Sequence, residues 1–213
     1  SGGMATADNM IKAWKAGEAA SAFYVYQQVY DENGQPRFGE FVDRNADGVI
    51  DYRDRYFYKK SDPDVTMGLS TKLTYKHWDL GLGFRASLNN YVYNSVEAGD
   101  NMNTGMSRLY SGNTWHNTFK YELAKDWTSS SASASCSDYF IQNASFLKLD
   151  NITLGYSFDR IGKSSISGRV YATAQNVFTI TKYKGIDPEI DGGYDSKVYP
   201  RPFTCIVGVS LNF

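Results

Sequence analysis

The chain has 213 residues, with 22 Lys and Arg against 23 Asp and Glu for a formal net charge of -1, which removes a nucleic-acid footprint and a polybasic membrane patch from consideration. No apolar run approaches the about 18 residues that a spanning helix requires, so a helical membrane protein is excluded. What stands out is the aromatic content, 17 Tyr, 12 Phe and 4 Trp, which suits the aromatic girdles of a membrane β-barrel and equally a sugar-binding β-domain.

The opening SGGMATADNM is no signal peptide, so a membrane or secreted protein with this start is expected to be a fragment lacking its true N-terminus. A first strand is predicted over 23–30. After it, DRNADGVIDYRD over 43–54 has the spacing of a calcium loop: Asp43, Asn45 and Asp47 at positions one, three and five, Gly48 at the sharp turn, the Val49 carbonyl, and Asp51 at nine. The twelfth position departs from the pattern, because Asp54 is one methylene shorter than the usual Glu and closes on a cation less readily. The alternative is an acidic turn that stays hydrated and metal-free.

The clearest hairpin follows. Met67, Leu69, Thr71, Leu73 and Tyr75 face one way and Gly68, Ser70, Lys72, Thr74 and Lys76 the other; past the corner at His77, Trp78, Leu80, Leu82, Phe84, Ala86 and Leu88 repeat the apolar face. Asp79, Gly81, Gly83, Arg85, Ser87 and Asn89 repeat the polar face, a pattern that fits lipid outside and lumen inside. A soluble sheet resting on a core would look the same from this hairpin alone. Further on, SFLKLDNITLGYSF puts Leu147 and Leu149 in one phase and Ile152, Leu154, Tyr156 and Phe158 in the other, which implies a β-bulge near Asp150 and Asn151. The turn DRIGKSS leads to a strand over 166–183 whose alternation weakens near Ala172, Thr173 and Ala174. The last eleven residues alternate without a slip: Phe203, Cys205, Val207, Val209, Leu211 and Phe213 on one face, small and polar residues on the other. A strand of about ten residues ending on an aromatic is what an outer-membrane barrel strand looks like.

The expected architecture is therefore all-β, the C-terminal portion of a large antiparallel transmembrane barrel with about six strands present. Residues 1–64 would supply one strand, an extracellular hairpin and the calcium-type loop; residues 65–213 would supply the remaining strands, with extracellular loops at 92–138 and 184–202 and short turns near His77 and Gly162 at the other end. Single-chain barrels start at about eight strands, and an open edge in hydrocarbon leaves backbone groups unpaired. Closure is expected from strands outside this chain. Cys136 and Cys205 sit in such different surroundings that no disulfide is expected.

Catalysis finds little support: His77 and His116 have no triad or zinc arrangement around them, and Asp187, Glu189 and Asp191 read as solvated loop acids. Tyr110, Trp115, Trp127, Tyr194 and Tyr199 are the candidate ligand contacts, since flat rings in loops stack on sugars or peptide side chains. Lys72, Arg85 and Asp79 lie on the polar face, where in a barrel they would meet whatever fills the lumen.

Five stretches together carry a resemblance. VDRNADGVIDYRDR, SDPDVTMGLSTKLTYKHWDLGLGFRASLNNYVYN, SDYFIQNASFLKLDNITLGYSF, YATAQNVFTITKYKGIDPEI and the final strand resemble, in order and spacing, the C-terminal part of the SusC/RagA group of TonB-linked outer-membrane transporters. The resemblance implies a plugged barrel of about 22 strands, with a SusD-like lipoprotein over its extracellular mouth and outer-membrane lipid around its wall. It also implies a plug and a TonB-contacting box, both outside this chain, and a role for Phe213 as the terminal assembly signal. The function implied is import of an oligosaccharide or peptide across a Bacteroidetes-type outer membrane. The rival reading is a soluble, calcium-stabilised carbohydrate-binding β-sandwich of the lectin or adhesin kind.

Overall fold

The computed structural model describes residues 11–101, 110–111, 114–115, 136–160, 162, 165–196 and 198–213. In chain order the strands are β1 (Ala22–Val25), β2 (Gln28–Tyr30), β3 (Pro36–Phe41), β4 (Tyr56–Lys60), β5 (Val65–Tyr75), β6 (Trp78–Leu88), β7 (Tyr91–Asn94), β8 (Tyr110–Ser111) and β9 (Thr114–Trp115). They continue with β10 (Ile141–Asn143), β11 (Phe146–Phe158), β12 (Ser167–Thr181), β13 (Tyr194–Asp195) and β14 (Thr204–Asn212), and the short helix α1 covers Ser95–Asn101. The chain divides into two compact units: Ser1–Asp62, Asn90–Asn143 and Lys184–Val198 form one, and Pro63–Asn89, Ala144–Tyr183 and Tyr199–Phe213 form the other.

The second unit holds a five-stranded sheet in the order β14-β12-β11-β6-β5, antiparallel throughout. Period-two alternation places the apolar side chains in cross-strand rows, such as Leu73, Leu80, Leu154, Ala172 and Val207, and Tyr75, Trp78, Tyr156, Val170 and Val209. The second row gathers aromatics at one end of the sheet, where Trp78 and Tyr156 pack with ring centroids 4.9 Å apart. The expected bulge is present: both ladders of β11 shift register between Leu149 and Asn151. Opposite it, Asn176 takes a left-handed φ of 52°, which the extra twist of a bulge demands and which Asn tolerates.

Apolar residues in this sheet do not form an interior. Leu69 is 62% exposed, Leu73 58% and Val207 71%, so the flank that a soluble sheet would press onto a second layer stands open. The strand lengths, 11 residues in β5 and β6 and 9 in β14, match the about 9–11 residues of a tilted membrane-crossing strand. The links from β5 to β6 and from β11 to β12 are short, whereas the link from β6 to β11 and that from β12 to β14 are long and pass through the first unit.

The first unit is built differently. Its sheets are small, pairing β1 with β4, β2 with β3, β8 with β9, and β7 with β10 and β13. The stretch over 23–30, expected as a sixth long strand beside the others, splits into β1 and β2, which pair with β4 and β3 instead. Ala22, Phe23, Val25, Tyr26 and Gln28 are all buried, a spacing of burial that a two-sided strand cannot give. The chain here is enclosed rather than layered. Ile11, Phe23, Val25, Tyr93, Ala98, Phe140 and Ile141 form the core, and each fully buried large side chain there stabilises the unit by about 1.5–3 kcal/mol.

Candidate functional site

Four stretches of the first unit meet at a groove of about 710 Å³: residues 13–18, Tyr24, Arg44 and 53–57. Pairing of β1 with β4 sets Tyr24 against Phe57, and their rings lie 5.0 Å apart and tilted by 41°. Tyr56, next along β4, carries the Arg44 guanidinium 4.5 Å from its ring centre. Four cations line the groove, Lys15, Arg44, Arg53 and Arg55, against one acid, Glu18. They are not equivalent. Arg53 is compensated, with its Nη2 2.7 Å from Asp51 and 3.1 Å from Asp47. Arg44 donates to the Gln27 side-chain oxygen at 2.8 Å; among the described residues neither Arg44 nor Lys15 has a carboxylate partner.

Beneath the groove lies a polar mesh. The Tyr56 hydroxyl donates to Asp138 Oδ2 at 2.6 Å, and the Gln28 amide donates to Oδ1 at 3.0 Å. Burial pushes the Asp138 carboxyl above the usual carboxylate range despite these bonds, which pull the other way. Burial also raises Tyr56, Tyr58 and Tyr30, with Asp138 adding to each. Lys12 is lowered by burial; its ammonium donates to Ser61 Oγ at 2.7 Å and the Gly192 carbonyl at 2.6 Å.

The acidic loop of 43–54 is a closed hydrogen-bonded structure. Asp43 accepts the amides of Ala46 and Gly48 at 2.7 and 2.8 Å, and Gly48 adopts the φ of 80° that the sharp turn requires. Asp47 accepts the Val49 amide at 2.9 Å. Asp54 is fully buried and accepts the amides of Arg44, Asn45 and Asp51, the last of which holds its carboxyl lowest. The Arg53 side chain likewise holds Asp51 low. Positions nine and twelve are thus engaged, and among the described residues no group of three or more acidic, His or Cys side chains is arranged around a metal ion. Arg53 supplies the positive charge that faces Asp47 and Asp51 in this arrangement.

The other sequence-derived contacts are dispersed. Tyr110 and Trp115 are register partners in the β8–β9 pair; Trp127 and His116 lie outside the described residues. Tyr194 is half-buried against the core, stacked on Tyr93 at 5.5 Å, and Tyr199, in the second unit, is 91% exposed. Sequence reasoning missed the groove, whose signal lies in three basic residues in and just after the acidic loop, Arg44, Arg53 and Arg55, followed by YFYKK.

On the polar face of the five-stranded sheet, charges are paired within the wall. Arg85 bonds Asp150, and Arg169 holds Asp79 in a bidentate pair, Nε donating to Oδ1 at 2.9 Å and Nη2 to Oδ2 at 2.5 Å. Gly155 lies between the strands that carry this second pair, and a Cβ there would sit 2.4 Å from Arg169 and 2.5 Å from Asp79. Tyr171 lies across Gly208 in the same way, with its ring 2.4 Å from where a Cβ would be. Of the three residues expected to face the lumen, Asp79 and Arg85 are therefore bound to neighbours and Lys72 is exposed.

No protein-family model matches the chain. It is 51% identical over 207 residues to the TonB-dependent receptor SusC of Bacteroides thetaiotaomicron, covering 95% of this chain and 20% of that receptor. It is 27% identical over 233 residues to TonB-dependent receptor P3 of Formosa agariphila, covering 93% of this chain and 23% of that one. The RagAB peptide importer in its open-open state is similar in fold, with a TM-score of 0.66 and 23% identity over 90% of this chain and 22% of that structure. An antiparallel sheet with its apolar flank outside, together with these likenesses, defines a segment of a TonB-dependent receptor barrel. The chain belongs to the SusC/RagA family of such receptors, and it spans about a fifth of the length of the curated relatives it matches. Those relatives are receptors rather than enzymes.

Proposed function

We propose that the chain is the C-terminal barrel segment of an outer-membrane nutrient importer driven through TonB, taking up an oligosaccharide or peptide beneath a SusD-like lipoprotein. The observation that carries this reading is the open apolar flank of the five-stranded sheet, with Val207 71% exposed. In water that surface would drive aggregation; against acyl chains it is the favourable one. The remaining strands, the plug and the TonB contact belong to the rest of the protein, and Phe213, 96% exposed, serves as the assembly signal. The full-length protein should fractionate with outer membranes and lose monodispersity when detergent is withdrawn. A detergent-free, monodisperse protein would overturn the reading and favour the soluble carbohydrate-binding alternative.

Calcium at the acidic loop belongs to the same proposal, supported by the spacing of Asp43, Asn45, Asp47 and Asp51 and by the turn at Gly48. Binding there requires Arg53 to release Asp47 and Asp51.

A further inference from the structure

We infer that the groove of the first unit binds a carboxylate-bearing oligosaccharide, with a uronate ring laid on the Tyr24–Phe57 pair and its carboxylate drawn by Arg44 and Lys15. The inference deepens the importer reading and rests on it, since it assigns a class of cargo to this site.

Three observations carry it. The volume, about 710 Å³, falls within the about 300–1,000 Å³ of small-molecule sites and admits a few sugar rings. Tyr24 and Phe57 present adjoining aromatic faces, and Trp14, also in the lining, is 77% exposed; the C–H face of a pyranose packs on such rings. The charge is selective. Arg53 is spent on Asp47 and Asp51, whereas Arg44 and Lys15 meet no carboxylate among the described residues.

Arg44 is also held in place. Stacking on Tyr56 and the bond to Gln27 fix the plane of the guanidinium, so its remaining donors are oriented before a ligand arrives, the arrangement that favours planar recognition of a carboxylate. A neutral glycan would leave this charge unanswered. A peptide would use a strand edge for its main-chain bonds; β1 offers none, because β4 flanks it on one side and residues 11–12 on the other, and a tri-glutamate probe tests the outer edge of β4.

The test is isothermal titration of the full-length protein in detergent with three probes: trigalacturonate, maltotriose and a tri-glutamate peptide. Trigalacturonate should bind, with affinity that falls as salt is raised. Lys15→Gln and Arg44→Gln should each weaken it by about tenfold, the loss of one charge-assisted bond. Lys76→Gln, in the hairpin turn of the other unit, should leave it unchanged. Lys15 is exposed, so its variant keeps the test independent of folding. Equal or tighter binding of maltotriose or tri-glutamate, or full trigalacturonate affinity in both groove variants, would overturn the inference. A protein that needs detergent yet ignores trigalacturonate would lose this inference alone and keep the importer reading.

Discussion

The two units of this chain solve opposite solvation problems with the same secondary structure. The first buries its apolar side chains around Phe23, Val25 and Tyr93, all 0–1% exposed, and holds Asp54, Asp138, Gln28 and Lys12 in individual hydrogen bonds. The second keeps its apolar side chains outside and its charged groups paired on the other face. Hydrophobicity therefore does not predict burial across this molecule. In the first unit the polypeptide supplies the apolar partner; in the second, on the importer reading proposed above, the surrounding medium does.

The sharpest way to break that contrast is a charge on the flank of the second unit. Val209→Lys should destabilise the folded wall by about 2–4 kcal/mol if acyl chains are its partner, while Ser210→Lys, one residue along and on the opposite face, should be mild. Refolding into lipid vesicles measured against denaturant reads the difference. Equal effects at the two positions would erase the distinction between the faces.

In the first unit the corresponding lever is Asp138. Asp138→Ala strands the Tyr56 hydroxyl and the Gln28 amide and should lose about 1–3 kcal/mol, whereas Asp138→Asn retains an acceptor and should lose less. Because the folded value of Asp138 is raised, its contribution is complete below the ordinary carboxylate range and is lost as pH rises through that raised value. Asp51 and Asp54 are lowered; their contribution is present above the ordinary range and is lost as pH falls. Melting curves should accordingly show wild type losing ground to Asp138→Asn as pH climbs from acid toward neutral. A pH-independent gap would mean that burial does not govern this carboxyl.

The smallest expected effect sharpens the account of the acidic loop. Calcium titration should give weak heat in the wild type, more in Arg53→Ala and none in Asp47→Ala. Silence in all three would retire calcium from this loop.

The long strands were legible in the sequence because each alternates against two different media, and even the shift at Asp150 announced itself as a change of phase between Leu149 and Ile152. The first unit was not legible for a physical reason. Its strands run 2 to 6 residues, too short for a period to show, and 23–30 is walled in on more than one side, so that neighbours Ala22 and Phe23, or Val25 and Tyr26, are buried together. The groove was hidden for a related reason. Its cations and rings come from four separate stretches of chain, brought together by β1–β4 pairing, by the bridge of Lys12 to Phe23 and by the contacts of Arg44 with Gln27 and Tyr56. The candidate aromatics chosen from loop position alone carried no such pairing information, and Tyr194 proved to be committed to Tyr93.

The glycines at 155 and 208 bear on how the polar face of this wall is lined. The Arg169–Asp79 ion pair and the Tyr171 ring occupy the space that a side chain at each glycine would take, so hydrogen-bonding groups lie flat against the backbone at those levels. Replacing either glycine with even an alanine would displace the neighbour that now lies over it.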